Sequence, residues 1–376
     1  MGRRSSTTPS GDDPSRPVTL PRVAVALSAL GLHCLYGEDR LVVPWNDHIL
    51  VVRRLMPTRP SEPATLRFDM VLRQRLEMAD MPKVAEVLNA WNQERLDPTV
   101  TMALQGDVLN THVQFRAHSA VIIDLGLSDE QLATAVELGV DTSVLLTREM
   151  ISQFPQLATE DSQVATEIRN RQDHDAVRGV LDGLPRPDEG LPAPISAEEA
   201  ASRAAHPSGQ SRARTAAATR QEFLEAGVGA SPREVVVEHV QASLTAAGIE
   251  KQQVVDDLVL AWINGVLFAF YLDNGPSLLI RAFWEVEADP NADRFRLFLV
   301  CNDFNAKSSL VKSFTQKDRD GLQVRMEFTV NLSAGQNAAQ LKHLVTVGMG
   351  QVMAAVDVIS TEASGETAVE WPGQDG

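Results

Sequence analysis

The feature that most restricts the fold of this chain is a repeat written around two short stretches, VLNAWN at 87–92 and VCNDFN at 300–305. An offset of 213 residues carries Asn89 onto Asn302, Trp91 onto Phe304 and Asn92 onto Asn305. It also carries Val84, Val87 and Leu88 onto Leu297, Val300 and Cys301. Apolar positions at i, i+3 and i+4 make one stripe in both copies, as an amphipathic helix packed on a core requires. Asp80 and Asp293 stand where each helix would take its N-cap. Further on, Val113 and Phe115 fall on Met326 and Phe328, within alternating segments that read as strands.

Upstream the offset becomes 217, and Gly31 falls on Gly248, each closing an apolar helix as a left-handed terminal glycine does. LVVPWNDHIL at 41–50 then lies on LVLAWINGVL at 258–267, with Trp45 on Trp262, and both read as tight hairpins. Downstream an offset of 209 aligns EQLATAV at 130–136 with AQLKHLV at 339–345 on a last helix. Each copy therefore reads as helix, hairpin, one or two further strands, helix, hairpin, helix. In the segment from Leu66, residues Leu66, Phe68, Met70 and Leu72 alternate with Arg67, Asp69 and Arg73, with Arg75 beyond. That alternation implies a sheet with one packed face and one wet face. The expected class is α+β, with two duplicated domains, each an antiparallel sheet covered by helices.

The expected boundaries are a disordered tail at 1–17, domain one at 18–155, a flexible Pro/Ala-rich linker at 156–231, domain two at 232–358 and an acidic disordered tail at 359–376. These blocks resemble the bacterial YbjN-type domain through Asn89, Trp91 and Asn92 and their counterparts Asn302, Phe304 and Asn305. The resemblance implies a fold similar to type III secretion chaperones, a role as a regulator of sensory transduction, and no established catalytic residues. Because such chaperones work as pairs, it also implies an internal pseudo-dimer.

Composition narrows the partners. A formal charge of −16 argues against nucleic acid, whose affinity rests on Lys and Arg, and against an anionic membrane surface. No apolar stretch reads as a membrane span or a signal peptide, and two distant cysteines make no disulfide framework, so a cytoplasmic location is expected. None of the eight histidines is spaced for zinc, and neither a Gly-x-Ser-x-Gly elbow nor a phosphate-cradling glycine loop occurs. The chain is accordingly read as non-enzymatic, without metal or cofactor.

The Asn motif is read structurally, with Asn92 and Asn305 ending their helices and Asn89 and Asn302 bonding nearby backbone. Arg53, Arg67, Arg73 and Arg75 are the candidate binding residues, a basic patch suited to an acidic peptide or a small anion. The leading expectation is a protein client or regulator bound through sheet edges or grooves. A small-anion sensor is the alternative.

Overall fold

A computed structural model describes residues 15–59, 62–107, 110–159, 231–272, 276–286, 289, 292–317 and 321–371. The first repeat runs α1 (Leu20–Ala29), β1 (Leu35–Tyr36), β2 (Arg40–Pro44), β3 (His48–Leu55), β4 (Thr65–Leu72), β5 (Leu76–Glu77), α2 (Met81–Glu94), β6 (Thr99–Gln105), β7 (His112–Ile122) and α3 (Asp129–Gln153). The second runs α4 (Val237–Ala246), β8 (Gln252–Val255), β9 (Leu258–Ile263), β10 (Val266–Leu272), β11 (Ser277–Val286), α5 (Arg294–Lys307), β12 (Val311–Lys317), β13 (Leu322–Asn331) and α6 (Ala338–Ser364). Both sheets are antiparallel. One follows β1-β2-β3-β4-β7, with β5 and β6 also paired to β7, and the other follows β12-β13-β11-β10-β9-β8. The fold is thus the duplicated α+β arrangement read from the sequence.

The local reasons are those expected at several points. Gly31 (φ 75°) and Gly248 (φ 89°) take the left-handed conformation after their helices, and their N–H groups bond back to Ser28 and Thr245. Asn264 and Gly265, both at positive φ, turn the hairpin between β9 and β10. The long helices α3 and α6 lie across the apolar sheet faces, and small residues set the approach. A Cβ on Gly139 would stand 2.6 Å from the Phe68 ring, and one on Gly348 2.6 Å from both Ile280 and Phe328.

His48 is buried beneath α3, stacked on Trp45 with ring centroids 4.5 Å apart. Ser143 Oγ donates to the Val140 carbonyl, so it accepts from His48 Nε2 at 3.3 Å, leaving Nδ1 unprotonated and without a partner. Burial lowers its pKa from 6.5 to about 4, against the pull of Asp47 and with the help of Arg73. A depressed histidine favours the native state above the unfolded value and loses that contribution as pH falls from 6.5 towards 4. The span corresponds to about 3 kcal/mol. His48→Phe keeps the stacked ring and is expected to flatten the stability–pH curve by that amount in urea titrations. Parallel curves for variant and wild type would refute the assignment.

Four expectations need correction. β4 is buried at all eight positions, so the Arg67–Asp69 face is not wet; the second repeat packs against it. The strand alignment of Val113 and Phe115 is off by four residues. Met102 and Thr315 occupy equivalent places and pair with Phe115 and Val324, so β7 maps onto β13 at the offset of 209. A slip of four leaves side chains on the same faces, which is why alternation did not reveal it. Asp80 and Asp293 sit at the helix starts but accept no capping bond there. Finally, α6 is long and apolar enough to cross a membrane by length and composition, yet it is the core helix of the second repeat, with 61% of its apolar window buried.

The expected tails are also partly ordered. Arg16 pairs with Leu127 through both backbone groups, α6 continues to Ser364, and Val369 is buried. The expected linker begins with packed chain, since Leu157 is fully buried, and 160–230 lies outside the described residues.

Candidate functional site

The two repeats meet along a seam built by the Asn motif. Asn92 grips the free edge of β6 in its own repeat, donating from Nδ2 to Val100 O and accepting from Val100 N, both at 2.9 Å. Asn305 does the same for Ser313 on β12, at 2.8 and 2.7 Å. The first asparagines reach across. Asn302 accepts from Met102 N at 2.9 Å and donates to Met102 O at 3.1 Å. Asn89 donates to Thr315 O at 2.9 Å and accepts from Thr315 N at 3.0 Å. A side-chain amide thus imitates a further strand at every second residue, and each edge is completed half by its own repeat and half by the other. Neither Asn92 nor Asn305 ends its helix, because the terminal caps are Arg95 and Ser308 in extended conformation.

The helix caps supply a second reciprocal pair. Ser128 with Gln131, and Asn337 with Gln340, form capping boxes at the starts of α3 and α6. Each glutamine amide then donates to the other's Oε1 at 3.1 Å, and to the Gly335 and Gly126 carbonyls respectively. Equivalent atoms exchange equivalent bonds, as across a two-fold interface. The two repeats thus meet through reciprocal bonds between equivalent residues.

Flanking the seam are two buried charge clusters. In the first, Arg67 Nε donates to Asp69 Oδ1 at 2.7 Å and Arg53 Nε to Oδ2 at 2.9 Å. Arg67 also donates to Ser309 Oγ at 2.8 Å in the second repeat. Burial pushes the Asp69 carboxyl up, but the guanidiniums of Arg67 and Arg53 override it and hold it below its ordinary value. His118, opposite Asp69 in the ladder, is driven well below 6.5 by burial and by Arg67. In the second cluster Glu327 receives Arg281 Nε at 2.6 Å and lies 3.3 Å from Lys312 Nζ. Lys312 also donates to the Arg95 and Leu96 carbonyls of the first repeat. Burial lowers its pKa, opposed by Glu327 and Asp97. Asp69 and Arg281 hold equivalent places, as do His118 and Glu327. Each cluster thus sets two cations around one carboxylate, but the carboxylate stands on β4 in the first repeat and on β13 in the second.

The four candidate arginines therefore do not converge on one open patch. Arg53 and Arg67 are engaged by Asp69, Arg73 Nε donates to the Trp45 carbonyl at 2.9 Å, and Arg75 stands exposed on the turn before β5.

A cavity of about 360 Å³ lies on the seam, between α3 and the end of β7 on one side and β13 and the start of α6 on the other. The 94–97 loop closes one end, and the Gln131–Gln340 pair lines it. Sequence reading missed this cavity because its walls come from segments far apart in the chain, with no shared motif. Among the described residues no group of three metal-ligating side chains occurs. Cys301 is buried, and burial pushes its thiol up to about 12, so it stays a protonated thiol.

Fold and seam together define a two-repeat α+β protein with paired domains and a shared interface. The family model YbjN, described as "Putative bacterial sensory transduction regulator", matches residues 19–151 and 236–360. These matches span more than half of the sequence, and the chain belongs to the YbjN family. Among solved structures it is similar to YbjN from E. coli, described as "a putative transcription regulator", at 18% identity and a TM-score of 0.28, covering 37% of this chain and 97% of that one. No curated protein matches.

Proposed function

We propose that this chain is a non-catalytic regulator that binds a protein client, in the manner of a chaperone or adaptor, with its two repeats acting as one body. The observation that carries this reading is the contrast between edges. β6 and β12 are sealed by asparagines, whereas β8, the last strand of its sheet, pairs only with β9 among the described residues. Gln253, Val254 and Val255 on β8 are exposed, and on β9 Trp262 is 70% exposed. An unpaired edge beside a projecting tryptophan suits an extended client segment, with backbone bonds giving affinity and the indole giving selectivity. The net charge of −16 disfavours nucleic acid and anionic membrane as partners, and a cytoplasmic setting fits two free cysteines.

Crosslinked capture from the native cytoplasm, run in parallel with wild type and a Val254→Pro, Trp262→Glu variant, tests this reading. A stoichiometric partner recovered by wild type and lost with the variant is the expected result. Equal recovery by both would remove β8 as the docking edge.

A further inference from the structure

We infer that the cavity on the seam binds a lipophilic small molecule carrying one hydrogen-bond-donating head, a hydroxyl or an amine, which docks on the Asp97 carboxylate. Its volume of about 360 Å³ lies within the range of ligand sites, which are mostly apolar with a few polar anchors. The walls here are Val121, Leu138, Phe328, Val330 and Leu344. Most of the polar groups at the ends are already engaged. Gln131 and Gln340 satisfy each other, and His343 is paired with Asp124 at 2.9 Å. The Arg95 guanidinium lies over the Trp91 ring, 5.5 Å from its centroid.

Asp97 differs from these. It is a half-buried lining residue whose side chain makes no hydrogen bond among the described residues. Burial pushes its pKa up to about 7, opposed by the nearby Lys312 ammonium. A half-buried acceptor without a protein donor has lost part of its hydration, and a ligand that supplies the donor recovers that loss. A carboxylate or phosphate head carries no donor for Asp97 and would also meet Glu94 on the rim.

The site also differs on its two sides. The residue equivalent to Ser119 is Phe328, and the one equivalent to Thr134 is His343. Only α3 extends along it through Leu138 and Leu145. This inference does not depend on the β8 edge, and either can fail alone.

The test is calorimetry and thermal shift on the full chain with n-octylamine, n-octanol and n-octanoate, which share a tail and differ in head. Saturable binding of the amine and the alcohol, with octanoate at least tenfold weaker, is expected. Leu138→Trp fills the cavity and is expected to abolish binding, while Asp97→Asn, which leaves the walls intact, should weaken the amine about tenfold. The idea is overturned if neither amine nor alcohol binds saturably, if octanoate binds as well as the amine, or if Leu138→Trp binds like wild type. Should Leu138→Trp fail to fold, an unchanged amine affinity in Asp97→Asn overturns the head-group assignment by itself.

Discussion

Changing Asn89 and Asn302 together to leucine is expected to remove about 4–12 kcal/mol of folding free energy. Each amide serves both backbone groups of one buried strand residue, Thr315 or Met102. Leucine fills the space, keeps water out and leaves four buried backbone groups unpaired, at about 1–3 kcal/mol each. A domain has only about 5–15 kcal/mol to lose, so the double variant stands near the limit of folding. Asn92→Leu breaks the same two kinds of bond inside one repeat and is expected to cost about half as much. The two differ in cooperativity: urea unfolding of Asn92→Leu should stay a single transition, while the seam variant should unfold one repeat at a time. A loss below about 1 kcal/mol in the double variant would mean the amide ladders do not hold the seam.

Glu327→Ala is expected to cost about 3–5 kcal/mol, because it strands Lys312 and Arg281 without their shared carboxylate in a buried site. The useful comparison adds Lys312→Met, which removes one stranded cation and fills its volume. Stability should then partly return, although a second residue has been changed. Additive losses in that double variant would mean that Lys312 acts through its bonds to the Arg95 and Leu96 carbonyls rather than through Glu327.

The repeat was legible because asparagines, tryptophans and apolar stripes recur at fixed offsets, and such patterns are local. Which strand each asparagine serves was not. Residues three apart on a helix diverge by only about 60° around the axis, enough to send Asn92 to its own β6 and Asn89 to the other repeat's β12. Likewise the Arg67–Asp69 stripe reads as a solvated face from alternation alone, since period two says nothing about what covers a face. Val369 was overlooked for a related reason. One apolar residue in a polar tail has no period, although it is buried against the second core. The cavity needed α3, β7, β13 and α6 placed together, and no stretch of sequence carries that.

The exchange of Asp69 and His118 for Arg281 and Glu327 has a bearing on stoichiometry. A dimer of identical chains must display every residue near its axis twice, and an unsymmetrical guest can then sit in either of two equal orientations. Fusing the pair in one chain lifts that obligation. Serine can face phenylalanine and an aspartate can face an arginine, so the seam distinguishes left from right. Anything held there is held once per molecule and points one way.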